Sequence, residues 1–346
     1  MLKKLVCLFA TLILCSCGGG SGAVKKGGES FVSASSSSAV ISSSSAAESS
    51  SSQMIQSSSQ NSVSSLSSGS SSSHVNTAAL YGLYVSLHMG RTDQLLGDAQ
   101  REEQFLKFVR DNGFNYLIFY ELEGLDPNSV KAQQIASLIS RAKMTAGVTQ
   151  VAAALGDASE ADTVVNFNDG RAESERINVL NVEYEFWNKT DRKTEFAKVI
   201  SMLERFNAVA SANQLTTEIY IGWIDATEAV SLANVTDRIL VHFYRPNDVD
   251  IVNFGIERLE WLAAASRKVK IAPIFSNEGP KNTNDLPFMG CWLETHSNQQ
   301  AYTSWKLQYD ALNKPWQDNI EVVGATWFIY DKFLDVGAGA SNGCSN

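Results

Sequence analysis

Between Asn178 and Trp187 the chain reads Asn-Val-Leu-Asn-Val-Glu-Tyr-Glu-Phe-Trp. Read as a β-strand, whose successive side chains point to opposite faces, this run puts Asn181, Glu183, Glu185 and Trp187 on one face and Val182, Tyr184 and Phe186 on the other. Asn178 falls outside the alternation. Burying two carboxylates among apolar groups is costly unless they are paired or neutralised, so the first face is expected to open into a polar cavity where an acid acts. A carboxyl group beside a second carboxylate keeps its proton to higher pH through like-charge repulsion. Glu185 is therefore the expected proton donor, with Glu183 as its tuner or an orienting group.

Eight apolar runs alternate with helical periodicity along the rest of the chain. Strands are expected at 80–87, 116–121, 150–155, 179–186, 218–223, 238–244, 270–275 and 322–330. Helices are expected at 101–112, 129–146, from about 161, and at 193–213, 227–234, 250–266 and 299–311. This α/β pattern predicts a single (β/α)8 TIM-type barrel, its final helix missing or replaced by the tail 331–346, which is rich in Gly, Ala and Ser. A doubly wound open sheet shares the alternation but finds no Gly-rich phosphate loop to support it. Barrel chemistry sits at the C-terminal strand ends, which puts Glu183, Glu185 and Trp187 at the mouth. Trp223 follows strand five, Tyr244 and Arg245 strand six, and Glu278 strand seven. Carboxylates with indoles suit a sugar, because aromatic faces stack on the C–H surface of a pyranose while polar groups bind its hydroxyls. The bland alternative for Glu183 and Glu185 is an interior ion-pair network with Arg245.

The spacing Asn178-x-x-Asn181-x-Glu183-x-Glu185 resembles the strand-four D-x-x-D-x-D-x-E of glycoside hydrolase family 18, of chitinases and endo-β-N-acetylglucosaminidases, although three of the four residues differ. Tyr244 in His242-Phe-Tyr-Arg245 resembles that family's strand-six tyrosine. Trp327 in Gly324-Ala-Thr-Trp327 resembles the strand-eight tryptophan that floors its sugar subsite, and Tyr84 matches a first-strand aromatic. The resemblance implies Glu185 as general acid, Glu183 orienting a substrate acetamido group and Tyr244 holding its oxygen. Glu is one methylene longer than the family's Asp, however, and fills space the acetamido needs. A second mechanism pairs Glu185 as acid/base with Glu278 as nucleophile, as in retaining barrel glycosidases, whose carboxyl groups stand about 5 to 5.5 Å apart. That mechanism accepts sugars without acetamido groups. A non-catalytic glycan-binding lipoprotein is the reading outside enzymology.

The chain opens with Met1-Leu-Lys-Lys, an apolar run to Leu14, and Cys15-Ser16-Cys17 before glycines. A basic start and an apolar core shorter than a membrane span read as a lipoprotein signal peptide over 1–17, with lipid on Cys17. No Asp follows that cysteine, so the outer membrane of a bacterial envelope is the expected address, facing the periplasm or the surface. Residues 18–77 read as a disordered linker, whose serine-dominated stretch of roughly 40 residues, from about Ser33 to Ser73, behaves as a flexible tether with an end-to-end distance of about 35 Å. The folded domain spans 78–346. Polyserine linkers of this kind resemble those of secreted bacterial polysaccharide-degrading proteins. Cys291 and Cys344 remain as an expected disulfide in an oxidising compartment. The four histidines are scattered, no Cys/His spacing suits zinc, and no cofactor is expected. A formal charge of −9 without a basic cluster argues against nucleic acid. The expected partners are a carbohydrate and, through the lipid, a membrane, with the protein a monomer.

Overall fold

The computed structural model describes residues 79–88, 95–278, 288–336 and 344. The signal segment with Cys17 and the serine-rich stretch lie outside the described residues. Seven parallel strands run β1 Leu80–Val85, β2 Tyr116–Phe119, β3 Gln150–Leu155, β4 Val179–Val182, β5 Thr216–Ile221, β6 Arg238–His242 and β7 Val269–Ser276, followed by β8 Ile320–Val322 and β9 Gly324–Phe328. Each of β1 to β7 pairs with the next, β7 pairs with β9, and β9 returns to β1. The sheet therefore closes into a (β/α)8 barrel, as the alternation predicts.

The eighth stave is broken in two. β8 pairs with the start of β7, and β9 joins its end to β1. The break falls at Gly324, whose φ is +148°, and a Cβ there would lie 1.8 Å from the Leu80 carbonyl oxygen. Only glycine lets the chain pass so close.

The helices are α1 Ala99–Asp111, α2 Val130–Thr145, α3 Glu160–Asn168, α4 Arg192–Asn213, α5 Ala226–Val235, α6 Ile256–Ala263, α7 Asn298–Ala311 and the single turn α8 Tyr330–Phe333. Side-chain caps fix several starts: Asp98 accepts from the Gln100 and Arg101 amides, and Asp225 and Glu228 form a reciprocal capping box. α6 is shorter than its periodicity predicts. Asp250 takes a positive φ and a 3-10 turn at Val252–Phe254 comes first, so the helix starts at Ile256. α8 stands where a full eighth helix would close the ring, in line with the tail's composition.

Apolar side chains pack in two layers. Leu83, Phe119, Leu180, Phe206, Trp305 and Trp327 fill the shell between barrel and helices, while Tyr84, Tyr116, Ile118, Val179, Tyr220, Leu240 and Ile274 fill the barrel itself. Deep in the barrel, Glu218 accepts from the Tyr116 hydroxyl at 2.6 Å and the Asn181 amide at 2.7 Å, and pairs with Arg238. Both ions are buried, which is tolerated because hydrogen bonds and opposite charge meet them. The interior ion-pair network considered above thus exists, but one layer below Glu183 and built from Glu218 and Arg238. Cys291 and Cys344 form a disulfide with 5.4 Å between their Cα atoms.

Candidate active site

The strand that opens the sequence reading ends sooner than its alternation suggests. β4 stops at Val182, and a 3-10 turn covers Phe186–Asn188. Inward alternation still carries Asn181 into the barrel, and Glu183 follows it to the barrel's upper end. Outward alternation takes Leu180, Val182 and Phe186 into the shell, and Tyr184 bonds to Glu195 on α4. Anchored by Phe186, which packs on Phe196, the chain bends outward and lifts Glu185 to the exposed rim. Trp187 folds back over the barrel, 5.6 Å from Tyr220. Gly222 makes room for it: a Cβ there would meet the indole at 2.8 Å.

Glu183 lies at the centre of a ring of phenols. Tyr120 donates its hydroxyl to the Glu183 carboxylate. Burial holds the phenols of Tyr84, Tyr220 and Tyr244 well above their ordinary pKa, and the field of Glu183 adds to the rise of each. Burial pushes the Glu183 carboxyl up to about 7, Tyr120's hydrogen bond opposes the rise, and Glu185 adds to it. Glu183 faces the barrel interior while Glu185 faces solvent.

Glu185 accepts a 2.7 Å hydrogen bond from the Asn188 amide. Across the mouth, Glu278 accepts from the Ser276 hydroxyl at 3.1 Å. Burial raises the Glu278 carboxyl, the Ser276 hydrogen bond and Lys332 lower it, and Asp331 and Glu185 raise it further. Glu185 thus bears electrostatically on both Glu183 and Glu278. Tyr84, Tyr244 and Trp187 pack with Tyr220 and Phe328 at this end of the barrel, whereas Trp327 does not. Trp327 is fully buried in the shell, 5.4 Å from Phe275 and 5.5 Å from Phe333. The sugar floor expected at Trp327 does not form there, because the parity of the broken stave turns the next residue inward instead. Phe328 faces Tyr84 at 5.7 Å and Tyr244 at 6.4 Å.

Tyr120, Tyr220 and Phe328 went unrecognised in the sequence. The first two carried a usable signal: Tyr220 stands two residues after Glu218 on one strand face, and Tyr120 is the residue that follows β2. Phe328 carried none, since its direction depends on the break at Gly324.

On the β5–β6 side, Trp223 is 51 % exposed and sits over Phe254 at 5.4 Å and His242 at 5.9 Å. Burial and the nearby Arg258 push His242 down to about 3, so its imidazole is neutral at physiological pH. Arg245, the pairing partner considered for the strand-four carboxylates, instead lies over the Phe254 ring at 5.2 Å. Among the described residues, no group of three or more His, Cys, Asp or Glu could hold a metal ion, and no helix is long and apolar enough to cross a membrane.

No protein-family profile and no curated protein matches this chain. Solved structures that resemble it include a GH18 chitinase from Pseudoalteromonas aurantia, at 11% identity over 73% of this chain and 94% of that one, with a TM-score of 0.44. The spore cortex-lytic enzyme SleL of Bacillus megaterium QM B1551 is similar at 10% identity over 76% and 74%, TM-score 0.44. A family 2 AP endonuclease from Brucella melitensis is similar at 12% identity over 73% and 93%, TM-score 0.38. Likeness this distant, spread over different chemistries, assigns no function. The side chains at the mouth must carry it.

Proposed function

We propose that the protein is a glycoside hydrolase that cleaves a polysaccharide or glycan with Glu185 as general acid. The observation that carries this reading is the convergence of Glu183, Glu185 and Glu278 in one aromatic-lined cleft at the C-terminal end of the barrel. Glu185, exposed and held by Asn188, is the carboxyl group a bound sugar can reach. It donates its proton to the glycosidic oxygen as the bond to the anomeric carbon breaks, and the leaving sugar departs as an alcohol. Glu183, which holds a proton up to about pH 7, serves as the neighbouring proton reserve. Glu185 then takes a proton from the attacking water, restoring its acid form.

Positive charge on the anomeric carbon must be met from the other face. Glu278, which follows β7 and is held by Ser276, takes that role as nucleophile in a retaining reaction on sugars without acetamido groups. In the alternative, the substrate's own acetamido oxygen attacks, with Glu183 and Tyr244 orienting it. Glu183 is already engaged by Tyr120 and ringed by phenols, which leaves that role less room. The protein is further proposed to be lipid-anchored through Cys17, in the envelope and facing the periplasm or the surface, acting as a monomer.

Incubation with a panel of GlcNAc-containing and plain β-glycans, read by reducing-end release and by NMR of the first-formed anomer, tests the reading. Hydrolysis of plain glycans with retention, abolished in Glu278→Gln, supports the two-carboxylate mechanism. Hydrolysis confined to acetamido sugars and indifferent to Glu278→Gln supports substrate assistance. Binding without turnover of any glycan contradicts the hydrolase and leaves a glycan-binding protein.

A further inference from the structure

On the β5–β6 side of the mouth two arginines stand without a carboxylate partner among the described residues. Arg258, on the first turn of α6, is 3 % exposed. Its guanidinium donates to the Gly222 carbonyl at 3.0 Å and the Phe254 carbonyl at 3.4 Å and lies over the rings of Trp223, Phe243 and Phe254 at 5.2, 5.6 and 5.2 Å. It meets no carboxylate among the described residues. Arg245 likewise forms no ion pair among them, although Asp248 and Asp250 share its loop. Between these cations stands His242, both of whose ring nitrogens are enclosed without a hydrogen-bond partner.

A buried cation without a counter-charge is disfavoured, and here two arginines converge on one ring, Phe254, in a chain of net charge −9. Above them Trp223 keeps half of its surface open. Arg258 and the ring edges of Phe254 and His242 hold the indole in place, so stacking on it costs little ordering entropy. The carboxylates Glu183, Glu185 and Glu278 belong to the β4 and β7 sides. Arg245 and Arg258, which follow β6, stand apart from these acids.

We propose that the β5–β6 side of the mouth is a subsite for an anionic pyranose, its carboxylate or sulfate taken by the Arg245 guanidinium and its ring face stacked on Trp223. Arg258 acts as a positioning residue, supplying fixed positive potential from beneath. This rests on the glycan-cleft reading and narrows its substrate class to acidic glycans.

Calorimetric titration of the full protein with oligosaccharides of equal length tests it, using oligouronates, sulfated galactans, and neutral cello- and chito-oligosaccharides. At least one charged class is expected to bind about tenfold or more tightly than the neutral ones, the scale of a charge-assisted hydrogen bond, and to weaken as salt is raised. The uronate and sulfate arms identify the anion. Arg245→Gln should remove the charge preference and Arg245→Lys retain part of it, while Trp223→Ala weakens charged and neutral sugars alike. Neutral and charged sugars binding equally, or a preference that survives Arg245→Gln, overturns the acidic subsite and leaves the glycan cleft standing. Failure of every sugar to bind overturns both.

Discussion

Glu183 owes its proton to where its strand ends. The residue keeps some contact with solvent, yet its carboxyl is enclosed by phenols, and burial rather than its neighbour Glu185 is the main cause of its rise to about 7. The sign of the consequence follows. The folded pKa lies above the ordinary 4.5, so the folded state binds more protons than the unfolded one between the two values. Stability is then fully present below about 4.5 and falls as pH rises through about 7, by ~3 kcal/mol at most. Thermal melts between pH 4 and 8 should show this decline in wild type and a flatter profile in Glu183→Gln; identical profiles would contradict the enclosed carboxyl. Tyr120→Phe deletes a hydrogen bond that lowers the Glu183 pKa. Its titration, followed by carboxyl-carbon NMR, should move to higher pH, and a downward move would show that the bond does not favour the charged form.

The order of strands and helices around the barrel was legible because each strand is a short apolar run and each helix an amphipathic one, and neither signal needs tertiary knowledge; the split of the eighth stave into β8 and β9 was not. The ends were not legible. Nothing in Asn181-Val-Glu-Tyr-Glu-Phe-Trp187 marks the 3-10 turn at Phe186–Asn188, which forms because Phe186 finds a place against α4, a contact made only in the folded shell. Likewise Trp327 and Phe328 exchange their expected directions through one break at Gly324. Trp327→Phe is accordingly expected to cost about 1 to 3 kcal/mol of stability and leave glycan affinity unchanged, whereas Phe328→Ala should weaken binding severalfold. Calorimetry of both variants checks this, and a Trp327→Phe that folds well but loses affinity would contradict the assignment. The Cys291–Cys344 bond, which was legible from the even pair, spans a separation of 53 residues. Its removal in a Cys291→Ser/Cys344→Ser variant should lower unfolding free energy by about 2 to 4 kcal/mol, read from denaturant melts, and an unchanged midpoint would show that the tail contributes nothing.

Across the whole molecule, the barrel divides its interior into a sealed lower layer and an open upper one. Below, Glu218 accepts from Tyr116 and Asn181 and pairs with Arg238, so that ion pair is spent on structure. Above them Glu185 is exposed, and Glu183, Trp187 and Tyr244 keep part of their surface open. That partition explains why the sequence displayed candidate acids without ranking them: Glu183 and Glu218 each sit on an inward strand position, and only the closed barrel shows that one meets an arginine and the other does not. The N-terminal region is expected to govern location rather than chemistry. Replacing Cys17 by Ala should move the protein from the membrane to the soluble fraction while glycan turnover persists, and membrane association that survives the change would contradict lipid attachment there. In the proposed reaction one exposed carboxyl group at this mouth, Glu185, donates the proton that breaks a glycosidic bond. Reducing-end release by wild type and Glu185→Gln on the glycan that wild type cleaves best tests it most directly. A fall in kcat of about 10²- to 10⁴-fold with glycan affinity retained is the predicted result, and turnover by Glu185→Gln at the wild-type rate would contradict it.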